Sequence, residues 1–391
     1  MPTTGRAAVL GLASSLVLLA GAPSASAQVA TPWFVHDWGG CCNGDGRLFN
    51  PRGVAADAAG HVYVADTFNA RIQQFDPTGA FVAAWGGAGS GAGEFAFPAG
   101  VAVGPAGRVY VADTFNDRIQ VFDPDGALAA SWGERGGGPG QLHRPHGVAV
   151  AAGGRVYVAD TLNDRIQVFD RDGRPLGSWG GRGDGDGRFR GPHDVAVDPA
   201  GCVYVADTFN DRIQAFDGDG AFRQSWGASG SGPGELASPY GVAAGPGGRV
   251  YVADTLNHRI QAFDATGAWL AAWGTNGSGP ARFQGPRAVA VDAAGAIYVA
   301  DEQGSHRVQK FAASLDALIV GLGEHAAAAL APAAGRSDGS VGDEASGAGN
   351  AIEALEAFID RVEAQRGIRL ADAQADFLVA AARVMIASLG G

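Results

Sequence analysis

Lysine is almost missing from this chain. Lys310 stands alone among 28 basic residues, against 40 acidic ones, for a formal net charge of −12. Nucleic-acid binding draws on a basic face that releases counterions from phosphates, and here the arginines are mostly committed to a repeated motif, so no nucleic-acid partner is expected. Cysteine is scarce as well: Cys41, Cys42 and Cys202 cannot make a disulfide framework. A vicinal Cys41–Cys42 bridge or a thiol linked to a partner stays open. Stability must instead come from burying repeated Val, Ile, Tyr, Phe and Trp, each worth roughly 1.5–3 kcal/mol. Long apolar runs are lacking too. The run Ala7 to Gly21 is short for a membrane span. Preceded by Arg6 and followed by Ala25-Ser-Ala27, it reads as a secretory signal peptide over residues 1–27. A mature chain starting near Gln28, secreted or held at the cell surface and with no membrane span, is the expectation. Catalytic signatures are missing also, since no G-x-S-x-G, P-loop or H-E-x-x-H pattern occurs.

What the chain has is repetition. The tyrosine of a Tyr-Val-Ala-Asp core recurs at Tyr63, Tyr110, Tyr157, Tyr204, Tyr251 and Tyr298, every step being 47 residues. Trp38, Trp85, Trp132, Trp179, Trp226 and Trp273 keep the same step. A fixed period of this size marks stacked or radially arranged units. In the copy Gly100 to Trp132, four short runs alternate apolar and polar residues between turns such as Asp123-Pro-Asp-Gly126. Four antiparallel strands per unit, six times over, predict an all-β, six-bladed β-propeller.

The copies resemble the NHL repeat family, of the bacterial secreted type, through Asp-x-x-Asn-x-Arg-Ile. The pattern runs from Asp66, Asn69 and Arg71 through Asp113, Asn116 and Arg118, Asp160, Asn163 and Arg165, and Asp207, Asn210 and Arg212, to Asp254, Asn257 and Arg259. The sixth copy, Asp301-Glu-Gln-Gly-Ser-His-Arg307, carries one extra residue and lacks the asparagine. A residue type present in every blade serves what every blade needs, so these side chains are expected to hold turns and to bond between blades.

Trp33 to Trp38 has the phase of a fourth strand with no first three before it, whereas Leu315 to Gly321 is out of phase. The ring is therefore expected to span 33–322 and to close through its N-terminal strand, leaving no open edge. Residues 331–349 have linker composition, and 350–391 carry two amphipathic stripes predicting a helical hairpin. That segment resembles the FIMAH module that ends many bacterial secreted proteins.

Each copy enters its first strand through Pro-x-Gly-Val-Ala or a variant, with x being Arg52, Ala99, His146, His193, Tyr240 and Arg287. Unlike the Asp-Asn-Arg framework, these positions differ from blade to blade, as a site on a symmetric scaffold must. Arg52, His146, His193, Tyr240 and Arg287 are the candidate ligand-binding residues, suited to a small anion. The ring also resembles that of peptidylglycine-amidating lyases, NHL-like propellers holding zinc through three channel histidines with Tyr and Arg acting on substrate. That resemblance implies His146 and His193 as two of the three, with His143 near in sequence and no third histidine in the ring. Asn43-Gly-Asp-Gly and Asp184-Gly-Asp-Gly are fragments of calcium loops without the full ligand set. The expected role is a binding module for a protein or a small anionic ligand at the channel mouth, with no cofactor. The alternative is a metal-dependent lyase or hydrolase using zinc at the same ring.

Overall fold

The computed structural model describes residues 31–313, together with scattered helical positions between 356 and 387. Most of the signal-peptide, linker and helical-hairpin segments, and the FIMAH resemblance with them, lie outside the described residues.

Six four-stranded antiparallel sheets organise residues 33–312. In blade one the strands are Pro51–Ala56, Val62–Asp66, Arg71–Phe75 and Phe81–Gly86, joined in sequence order. Blades two to five repeat this order. Blade six takes Pro286–Val291, Ala296–Asp301 and Arg307–Ala312 from the end of the ring and its outer strand from Trp33–Gly39. That strand pairs antiparallel with Arg307–Ala312, Trp38 facing Val308 and Gly39 facing Arg307. The two ends of the ring thus share one sheet, and no blade edge is left open between them.

Alternation fails in the second strands. All five positions of Val62–Asp66 are buried, and so are those of its equivalents. A middle strand of a blade has another blade packed on each face, so both sets of its side chains are covered. Outer strands such as Phe81–Gly86 keep the half-exposed pattern. The core accordingly lies between blades: Tyr63, Ile72, Phe95, Val109 and Phe122 form one such cluster.

The repeated polar residues do a more local job than expected. Asp113 is fully buried and accepts hydrogen bonds from the Ala96 amide, Asn116, Arg118 Nε and Gln120. Arg118 also donates to the carbonyls of Gly91 and Glu94. This network ties the loop entering a blade to that blade's second turn. One repeated bond between blades comes from a residue the sequence pattern does not mark, the threonine after the aspartate. Thr67 Oγ1 donates to the Pro98 carbonyl of the next blade at 2.8 Å, and Thr114, Thr161, Thr208 and Thr255 do the same one blade on.

First strands crowd around the axis, and glycine lets them. A Cβ on Gly100 would lie 2.1 Å from the His146 carbonyl oxygen of the next first strand. Neither backbone can retreat without opening the ring. Gly100→Ala is expected to cost about 1–3 kcal/mol by overpacking, measured as a lowered denaturation midpoint with unchanged m-value. An unaffected midpoint would show that the inner strands are not in tight contact. Cys41 and Cys42 form a vicinal disulfide, and Cys202 is a free thiol buried in the core.

Candidate functional site

The x residue is the second of each first strand, at the end of the blade where the turns after the second strands also lie, because Pro51 pairs with Asp66 and its equivalents follow suit. Radial repetition therefore delivers six such residues to one mouth of the channel. Arg52, Ala99, His146, His193, Tyr240 and Arg287 all line one funnel of about 430 Å³, counted out to its open mouth. His143 is not among the lining residues.

The funnel has two unlike sides. On one, Arg52 and Arg287 both pair with Glu302, Arg287 Nη1 at 3.6 Å. Arg52 is 18% exposed, Arg287 13% and Glu302 only 4%. The Arg287 guanidinium lies 3.4 Å from the centre of the Tyr240 ring, and that of Arg52 lies 4.4 Å from Phe97. Arg52 Nε is buried with no hydrogen-bond partner among the described residues. Two cations thus share one carboxylate, and one of their donors is unused.

The other side is histidine. His146 and His193 lie with ring centres 4.7 Å apart, and His193 sits 4.6 Å from Tyr240, edge to face. His146 Nδ1 is 3.0 Å from the Arg144 carbonyl and His193 Nδ1 is 2.8 Å from the Gly191 carbonyl. A carbonyl can only accept, so each Nδ1 carries the proton and donates. Burial, reinforced by the Arg287 guanidinium, pushes His146 down to about 3. Burial, then His146 and Arg287, hold His193 well below its ordinary value. Both imidazoles are neutral at neutral pH.

Two members of the site were missed in the sequence, and each is a break in a repeat. Glu302 stands where the other blades have the bridging threonine. Asp194 stands where blades one, two, three and five have Gly53, Gly100, Gly147 and Gly241. Its carboxylate accepts from the amides of Val195 and Val242 and has no cationic partner among the described residues. Burial pushes it up to about 7. An ordinary aspartate titrates near 4, so between these values the folded chain holds a proton that the unfolded chain has released. The resulting stabilisation is full below about pH 4 and is lost as the pH rises through about 7. The depressed histidines act in the opposite sense, destabilising the fold as the pH falls from about 6.5. Asp194→Gly removes the carboxylate alone. Its melting temperature relative to the parent is therefore expected to climb between about pH 5 and pH 8. A difference that stays flat or falls would mean the two amides keep Asp194 ionised.

A partial aromatic rim stands above the funnel. Phe68, Phe97 and Phe115 touch in series, Phe97 and Phe115 stacked at 4.4 Å, with Arg144 over Phe115 at 4.2 Å. Phe209 meets His193 edge to face at 5.3 Å. Phe68, Phe115 and Phe209 are exposed.

Sequence comparison agrees with this architecture. The NHL repeat matches residues 50–75, 95–122, 142–169, 189–216, 236–263 and 283–311. This is an NHL-repeat propeller. Among solved structures, a gluconolactonase from Xanthomonas campestris is 16% identical with a TM-score of 0.52, covering 73% of this chain and 99% of its own. A streptogramin B lyase is 13% identical with a TM-score of 0.51, covering 71% and 97%. A protein of unknown function from Bacteroides thetaiotaomicron is 16% identical with a TM-score of 0.53, covering 73% and 75%. At these identities the likeness is one of fold. No curated protein matches the NHL chain in sequence.

Proposed function

We propose that this NHL propeller is a binding module that works outside the cytoplasm and takes a small carboxylate-bearing anion into its channel funnel. The observation that carries this is the pair of largely buried guanidiniums, Arg52 and Arg287, sharing the single carboxylate of Glu302 at the funnel. Two cations against one carboxylate leave positive charge at the funnel, and a ligand carboxylate would pair with it through charge-assisted hydrogen bonds. Calorimetric titration with a carboxylate series starting from acetate and succinate, repeated on a variant in which Arg52, Arg287 and Glu302 are neutralised together, tests the reading.

A metal-dependent lyase or hydrolase is the second reading. It draws on the two imidazoles, whose Nδ1–H groups donate to carbonyls as metal-binding histidines commonly do. The residues present do not fit a three-histidine zinc site. The other ring positions hold two arginines, a tyrosine and an alanine. Among the described residues no group of three or more His, Cys, Asp or Glu could hold a metal ion. Two guanidiniums in the same funnel also oppose a cation. Stoichiometric zinc in the purified protein would favour this second reading.

A further inference from the structure

The histidines add a requirement that the arginines do not. With Nδ1–H committed to a carbonyl in both rings, each Nε2 is left as an acceptor. Because both imidazoles stay neutral, they do not become donors near neutral pH. A ligand made only of acceptors, such as a simple carboxylate, would meet donors on the arginine side and bare lone pairs on the histidine side. A ligand that satisfies both walls needs an anionic group and, a few ångströms from it, hydroxyl donors.

Resting on the anion reading above, we infer that the ligand is a hydroxylated carboxylate of the sugar-acid class, its carboxylate held by Arg52 and Arg287 and its hydroxyls donating to Nε2 of His146 and His193. Asp194 on the funnel wall is a further polar contact within the same lining.

The test is calorimetric titration of the full chain with D-glucuronate, D-galacturonate, cyclohexanecarboxylate and methyl glucoside. A site built to pair a hydroxyl rejects an analogue that lacks it. At least one uronate should bind about tenfold or more tighter than cyclohexanecarboxylate, and methyl glucoside should bind weakest, having no charge for the arginines. The preference for the uronate should vanish in His146→Phe/His193→Phe while cyclohexanecarboxylate keeps its affinity. The ligand series on the unaltered protein decides the matter even if that variant fails to fold. Equal affinity for the uronates and cyclohexanecarboxylate overturns the hydroxyl requirement and leaves the anion site standing. No binding by any carboxylate overturns both.

Discussion

Removal of residues 33–39 is expected to unfold the ring rather than trim it. The strand pairs along its length with Arg307–Ala312, and Trp38 packs on Tyr298 of the last blade and Phe75 of the first. Val35 is buried, and Asp37 holds Arg307 at 2.6 Å. That ion pair matters more here than elsewhere. Asp301 Oδ2 and Arg307 Nε lack the hydrogen bond that their counterparts make in the other blades. At roughly 1.5–3 kcal/mol for each buried side chain, with an edge exposed and Arg307 stripped of a partner, the loss should be about 5 kcal/mol or more. Domains are commonly stable by about 5–15 kcal/mol in total. The truncated chain should therefore be largely unfolded at 37 °C by circular dichroism, and a peptide of residues 31–41 should restore part of its melting transition. A truncated ring that melts where the full ring does would show that closure contributes little.

Loss of ligand binding in Arg52→Met/Arg287→Met/Glu302→Gln is the second large effect. Glu302 must be changed with the arginines because a buried carboxylate left without partners would itself destabilise the fold, and a binding defect could then be mistaken for unfolding. With all three neutralised the funnel keeps its volume and loses its charge. Each hydrogen bond to a charged group is worth about 1.5–3 kcal/mol, so two guanidiniums on one carboxylate give an expected loss of about 100-fold or more in affinity. Calorimetry on protein with a parental melting temperature is the measurement. Carboxylate binding that survives in a folded variant would remove the arginines from the site.

The repeat made most of the fold legible. The 47-residue step of Tyr and Trp, with glycine turns between alternating runs, specifies four strands six times over, and six sheets of four strands are observed. Residues found in every blade were legible as framework, although their partners were not. The aspartate–arginine network stays within one blade and its entering loop, and threonine crosses to the next, because donor and acceptor positions depend on how the blades pack. The candidate ring was legible because it varies where the framework does not. Asp194 and Glu302 could have been found by the same signal, one replacing a repeated glycine and the other a repeated threonine.

By itself, then, the sequence determined the number of blades, the strands within each, and which positions differ around the axis. Periodicity alone carries that information. Only the closed ring decided what those positions do together. It put Glu302 of the last blade against Arg52 of the first, residues 250 apart in sequence. It also brought together His146 and His193, from neighbouring blades, with ring centres 4.7 Å apart. Burial at the funnel wall lowers the affinity of those imidazoles for protons and raises that of Asp194. Distances across the axis and exclusion of water arise when six units meet, and no single repeat contains them.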